Sequence, residues 1–189
     1  MAEIDSLLKI MEKLRDPETG CPWDKTQTPE SISPYTLEEA YEVYDAVEKN
    51  DAEQLKEELG DLLLHIVFYA QMAKEKGLFD FQDVVDGINA KMIRRHPHIF
   101  GNESALPDWE KMKAQERREH HQDGVLSGIA DALPQTIRAY KLQSRAARVG
   151  FDWAAPLLIV DKIYEEVNEL KAEIVQPTHD RERLDEMGD

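Results

Sequence analysis

Residues 38–61, EEAYEVYDAVEKNDAEQLKEELGD, carry two acidic pairs at helical spacing on either side of a turn signal. Glu39 and Glu42 are three residues apart, so on a helix they share one side. Glu58 and Asp61 repeat that spacing. Between the pairs lies Asn50-Asp51, a turn and helix-start signal. Glu42 stands eight residues before Asn50 and Glu58 eight after it. At ~1.5 Å rise per residue, each is about 12 Å from the bend. In an antiparallel helical hairpin the two are therefore level, and four carboxylates face one another across the helix pair.

Outward from this stretch the helical pattern continues. Pro34 stands near the start of the first hairpin helix, where a proline is tolerated, and that helix is expected to end near Lys49. The second is expected over about Ala52 to Glu75. Its stripe of Leu55, Leu59, Leu62, Leu63, Ile66, Val67 and Ala70 recurs at helical period and predicts a core-facing side. Gly77 stops it. A third helix is predicted from about Phe81 to Arg95, ended by Pro97. Upstream, Ile4, Leu7, Leu8, Met11 and Leu14 share a helix face, and the Pro- and Gly-containing segment Asp16 to Asp24 breaks the pattern. Residues 101–134 are polar. Trp109 to about His120 reads as a short helix followed by a linker. A second helical block begins near Pro134. No segment carries a strand signal, so the expected class is all-α.

The hairpin motif recurs. Glu38-Glu39-Ala40-Tyr41-Glu42 returns as Glu165-Glu166-Val167-Asn168-Glu169, and Glu58-Leu59-Gly60-Asp61 returns as Glu186-Met187-Gly188-Asp189. The offsets are 127 and 128 residues. Trp23-Asp24 and Asp152-Trp153 precede the two copies. Pro177 takes the place of Asn50, with Glu169 eight residues before it and Glu186 nine after it. Two copies of one helical module are the simplest account. The expected division is a first module over 1–120 and a linker with an incomplete second module over 121–189.

Composition narrows the functional classes. The chain has 189 residues, of which 41% are hydrophobic and 33% charged, with a formal net charge of −16. Such a surface argues against a general nucleic-acid or membrane-surface binder, both of which need a basic footprint. The single cysteine, Cys21, permits no intrachain disulfide and fits a reducing compartment. The acidic N-terminus has no signal-peptide apolar stretch, so a cytoplasmic location is expected.

Acidic pairs at i, i+3 are common here: Asp45/Glu48, Asp80/Asp83 and Glu116/Glu119 also match, and they read as solvated helix faces. The pairs placed level about a turn are different. Four facing carboxylates repel one another and lose solvation unless a cation fills the gap. All-oxygen ligands select a hard ion. Mg²⁺ is favoured, with Mn²⁺ as a substitute. No EF-hand loop supports Ca²⁺. A cluster of this kind suits phosphoryl chemistry. Lys91 and Arg95, at i, i+4 beside Arg94, can meet phosphate charge, although an ordinary basic helix end has the same pattern. Trp109 and Lys113 are also at i, i+4, and Trp23 and Trp109 can stack on a base. His96 and His98 read as surface or capping residues. Glu38 and Glu57 adjoin the cluster, and helix-face geometry alone permits an assignment shifted onto them.

These residues resemble a known family, the MazG nucleoside triphosphate pyrophosphohydrolases of the all-α nucleotide pyrophosphatases. The resemblance rests on Glu-Glu-x-x-Glu followed by Glu-x-x-Asp. It also rests on Gly20-Cys21-Pro22-Trp23-Asp24, Tyr35-Thr36-Leu37-Glu38-Glu39, Arg94-Arg95-His96-Pro97-His98 and Val149-Gly150-Phe151-Asp152-Trp153. It implies hydrolysis of a nucleoside triphosphate to the monophosphate and pyrophosphate. It implies Mg²⁺ at Glu39, Glu42, Glu58 and Asp61, and again at Glu166, Glu169, Glu186 and Asp189, which favours Glu39 and Glu58 over their neighbours. It implies phosphate contact by Lys91 and Arg95 and substrate contact by Trp109 and Lys113. In the second module it implies substrate-lining roles for Lys162 to Glu166 and for Glu182, Arg183 and Asp185. Family members form homodimers or higher oligomers. Two-module members continue beyond the position of Asp189, so the second module is expected to be cut at its last ligand. That leaves two further readings open: a nucleotide-binding or regulatory module without turnover, and an acidic scaffold for protein partners.

Overall fold

The computed structural model describes residues 2–101, 112–113, 115–116 and 124–175. The chain divides into two compact units, Met1–Pro107 and Asp108–Asp189. The first contains α1 (Ala2–Leu14), α2 (Pro22–Thr26), α3 (Pro29–Glu48), α4 (Ala52–Glu75), α5 (Phe81–Arg95) and α6 (Pro97–Phe100). The second contains α7 (Gln135–Ala147) and α8 (Pro156–Val175). No strand occurs among the described residues, as the sequence pattern requires of an all-α protein.

The antiparallel hairpin of α3 and α4 is the main packing unit of the first module. Its bend is set by local chemistry. Asn50 adopts the left-handed conformation, with φ 54°, which Asn tolerates better than most side chains. Asp51 then caps α4, its carboxylate accepting from the backbone N–H groups of Glu53 at 3.1 Å and Gln54 at 3.0 Å. At the other end of α4, Gly77, with φ 67°, terminates the helix. There the N–H of Leu78 donates to the Ala73 carbonyl and that of Gly77 to the Lys74 carbonyl, both at 3.0 Å. This is a Schellman closure. α5 begins with a capping box between Asp80 and Asp83, so this acidic pair serves the helix end.

Two sequence expectations change. α3 begins at Pro29 with a Thr28 cap, which places Pro34 inside the helix. Pro34 has no N–H for the Glu30 carbonyl, and the Ser33 hydroxyl donates to that carbonyl instead, at 3.0 Å. The helix thus passes the proline without an orphaned acceptor. The α4 stripe, expected to face the core throughout, also splits. Val67 and Ala70 are buried, whereas Leu59, Leu63 and Ile66 remain 49%, 37% and 41% exposed. The core lies at the open end of the hairpin, where Met11, Ile32, Val67, Phe68 and Met72 cluster with Ile4, Leu7, Leu8, Leu64, Tyr69 and Phe81 around them. α1 packs on α4, and its predicted face meets that core. Near the bend, no core cluster of this kind forms among the described residues.

Arg15 fastens the segment after α1, which the sequence showed only as a break. Its Nε and Nη2 donate to the two carboxylate oxygens of Glu75 at 2.8 and 2.7 Å. Its Nη1 donates to the Asp24 carbonyl at 2.6 Å and the Gln27 carbonyl at 3.2 Å. Its guanidinium also lies 5.3 Å from the centre of the Phe68 ring, a cation–π geometry. The Arg15 hydrogen bonds hold the Glu75 carboxyl below the usual carboxylate range. Gly20 is required in this segment by close approach. A Cβ there would stand 2.4 Å from the Leu14 carbonyl oxygen and 2.5 Å from that of Asp16.

The Asp51 cap gives a direct test of the hairpin bend. Asp51→Ala should lower stability by about 1 kcal/mol, read as a shift of the urea midpoint with an unchanged slope. An unshifted midpoint would show that the bend does not depend on this cap.

Candidate active site

α3 and α4 each contribute to one carboxylate cluster near the bend. Single ligand oxygens of Glu39, Glu58 and Asp61 all lie within 4.8 Å of one another. Glu39 and Glu58 are half-buried and Asp61 is exposed. Glu42, one turn along α3, is exposed and is absent from that trio. It still acts on it, because its charge and a hydrogen bond to Glu39 both favour the protonated form of Glu39. Burial is the largest influence, followed by the charges of Glu42 and Asp61 and then that hydrogen bond, with Glu58 adding to them; together they push the Glu39 carboxyl above its ordinary range. Of the four expected ligands, the fold brings three to one point and keeps the fourth beside them.

The donor set fits a hard cation. Glu39 Oε2 is buried and has no hydrogen-bond partner, an arrangement that is costly unless something fills it. Two oxygens on opposite sides of Mg²⁺ are about 4.2 Å apart, twice the ~2.1 Å metal–oxygen distance. A trio spanning 4.8 Å needs only a small inward movement to close on such an ion.

Two residues beside the cluster were not singled out by the sequence reading. Gln54, on the first turn of α4, donates its side-chain amide to Glu58 Oε1 at 3.3 Å. His65 is half-buried, its Nδ1 has no hydrogen-bond partner, and burial lowers its pKa against the opposing charge of Asp61. Each stands four residues from a cluster carboxylate, Gln54 before Glu58 and His65 after Asp61. Helical spacing was the available signal. One turn beyond His65, the Tyr69 and Thr36 hydroxyls are 2.8 Å apart and tie α4 to α3.

The other candidate residues are placed as follows. Trp23 lies on α2, 55% exposed. Lys91 is exposed on α5, and Arg95, on the same helix, is half-buried at its last residue. His96 caps the end of α5, its Nδ1 2.7 Å from the Met92 carbonyl oxygen, in keeping with a capping role. Lys113 is helical and exposed. On α8, Lys162 reaches Glu165 at 2.8 Å and Glu166 at 2.9 Å, and hydrogen bonds to these two carboxylates raise its pKa. Glu166 and Glu169 are exposed on that helix. Trp109, Glu182, Arg183, Asp185, Glu186 and Asp189 lie outside the described residues, as does most of the helix expected over Trp109 to His120.

Residues 27–100, which span α3 to α6, match the model of the MazG nucleotide pyrophosphohydrolase domain. The whole chain aligns at 51% identity with the nucleoside triphosphate pyrophosphohydrolase of Escherichia coli strain K12, covering 74% of that protein. The chain belongs to the MazG nucleoside triphosphate pyrophosphohydrolase family. A nucleoside triphosphate pyrophosphohydrolase/pyrophosphatase MazG of Thermotoga maritima is 44% identical over 98% of this chain and 71% of its own length. A solved mazG-related protein from the same organism is 30% identical, with a TM-score of 0.48 over 61% of this chain and 98% of its own.

The charge frustration in the cluster can be measured without substrate. Glu39 has its folded pKa raised, so its ionised form destabilises the metal-free fold above that pKa, and the penalty fades as pH falls toward the unfolded value. Glu39→Gln should therefore raise the thermal midpoint of the protein in chelator at pH 7, with the gain shrinking on acidification. A pH-independent gain, or a loss at pH 7, would contradict the electrostatic account.

Proposed function

We propose that this chain hydrolyses nucleoside triphosphates to the nucleoside monophosphate and pyrophosphate, using Mg²⁺ held by Glu39, Glu58 and Asp61 with Glu42 beside them. The observation that carries this reading is the convergence of three carboxylate oxygens within 4.8 Å, with Glu39 Oε2 buried and unpaired among them. When bound, Mg²⁺ supplies positive charge for phosphate oxygens and lowers the pKa of water; Mn²⁺ can take its place. A carboxylate of the cluster accepts the proton of the attacking water. Lys91 and Arg95 meet the remaining phosphate charge, and Trp23 and Trp109 offer faces for the base, with Lys113 beside the latter. In the second unit, Glu166 and Glu169 are the matching ligands, with Glu186 and Asp189 completing the motif. Lys162, Glu182, Arg183 and Asp185 line the substrate there. The ion pairs of Lys162 with Glu165 and Glu166 support a resting state in which this lysine holds the acidic motif until a cation replaces it.

Pyrophosphate release from a panel of nucleoside triphosphates tests the assignment. Glu39→Gln combined with Glu58→Gln should lower Mg²⁺-dependent turnover by about a hundredfold or more, while Glu166→Gln leaves most of it. The opposite pattern would move the activity to the second motif. Orthophosphate as the product would reject the reaction itself.

The exposed side of the hairpin supports a homodimer or larger assembly. Leu59, Leu63 and Ile66 on α4, and Leu37, Tyr41 and Tyr44 on α3, are exposed at helical period. Apolar stripes of this kind mark association surfaces. Sedimentation should show the protein as a dimer or larger, and Leu63→Lys with Ile66→Lys should shift it to the monomer. A monomeric parent protein would refute this assembly.

A further inference from the structure

We propose that Gln54 is a positioning residue whose amide competes for one oxygen of Glu58 and so tunes the carboxylate cluster toward Mg²⁺ and away from Ca²⁺. The inference rests on the cation-site reading above and deepens it.

Gln54 bonds a cluster carboxylate without carrying a charge of its own. Its side-chain amide donates to Glu58 Oε1 at 3.3 Å from one helical turn away. Its own backbone is held by the α4 cap, since its N–H donates to Asp51 at 3.0 Å. The donor therefore stands on a fixed first turn. Its position is half-buried, so water competes less for the amide than it would at an open surface.

The chemistry of the donor matters. Lysine at this place would neutralise Glu58 and compete with a cation for it. Glutamine engages one oxygen and adds no charge, so Glu58 keeps its full negative charge. The nearby Lys56 is turned to Glu53, with which it forms an ion pair. The amide engages Oε1 and leaves Oε2 without that competition. Mg²⁺ takes single oxygens in a near-ideal octahedron, whereas Ca²⁺ takes six to eight and often uses both oxygens of one carboxylate. Ca²⁺ bound through both oxygens of Glu58 has to share Oε1 with the Gln54 amide or displace it, and a displaced amide is left half-buried without its partner. Partners that orient a ligand in this way change metal affinity by about 10–100-fold.

Calorimetric titration of the full chain with Mg²⁺ and with Ca²⁺ tests the proposal. Gln54→Met keeps the length and helix preference of the side chain but removes the donor. The ratio of the Ca²⁺ to the Mg²⁺ dissociation constant should fall by about tenfold relative to the parent protein. Thermal melts in chelator confirm that the variant is folded. If Gln54→Met does not fold, Gln54→Ala provides the same measurement with another strong helix former. An unchanged ratio, including an equal loss of both affinities, overturns the role of Gln54 and leaves the cation site standing. Failure of the parent protein to bind either ion overturns both.

Discussion

Mutual repulsion among Glu39, Glu58, Asp61 and Glu42 is the constraint around which the first unit is organised. Like charges this close favour separation or protonation, and Glu39, driven by its burial first and then by the charges of Glu42 and Asp61, shows the latter tendency. The hairpin stays closed because attraction acts elsewhere along it. At the open end, Ile32 from α3 and Val67, Phe68 and Met72 from α4 are buried together with Met11 from α1. At the bend, Ala46 is fully buried and its carbonyl accepts the N–H of Asp51 at 3.0 Å. Between these anchors the Thr36–Tyr69 hydroxyl bond closes the gap on the core side of the cluster. The carboxylates thus occupy a stretch whose separation is set from both ends, so repulsion is stored there in place of being relieved.

This division of labour along one helix explains the split of the α4 stripe. Val67, Phe68, Ala70, Met72 and Ala73 are buried, whereas Leu59, Leu63 and Ile66, beside the acidic stretch, stay exposed. Burying them inside the same unit would bring another apolar layer against the carboxylates and raise the desolvation penalty on their charge. A surface that carries ligands on one side and an apolar stripe beside them is suited to a site completed by association.

Arg15 has a comparable organising role at the other end of the unit. One guanidinium joins Glu75 near the end of α4 to two carbonyls of the α2 segment. Its side chain is largely buried, yet these contacts and the Phe68 ring occupy its donors and its face. Planar five-donor geometry makes arginine suitable for this, and lysine would satisfy only part of it. The result is that a short segment with little apolar content, including the exposed Trp23, has a defined place against the hairpin.

The local elements were legible in the sequence because their causes are local. Asn50-Asp51, Gly77, the Ile4-to-Leu14 face and the carboxylate spacing each act over a few residues, and each stands where the pattern put it. Pro34 misled because the compensating hydroxyl, that of Ser33, is a side-chain detail that a proline-as-helix-start rule overlooks. Arg15 gave no signal, since its partners lie up to 60 residues away. Residue order alone was enough for α1, α3, α4 and α5 and for the bend between α3 and α4, because helix periodicity and capping are short-range; α2 and α6 were not legible in it. The packing of α3 against α4 selects which three carboxylates converge and drives Glu39 toward protonation, and the side-chain rotamer of Gln54 brings its amide onto Glu58. The convergence and the shift of Glu39 depend on distances and burial across two packed helices, which no one-dimensional spacing specifies, whereas the Gln54–Glu58 contact lies one turn apart on α4 and its spacing is visible in the sequence.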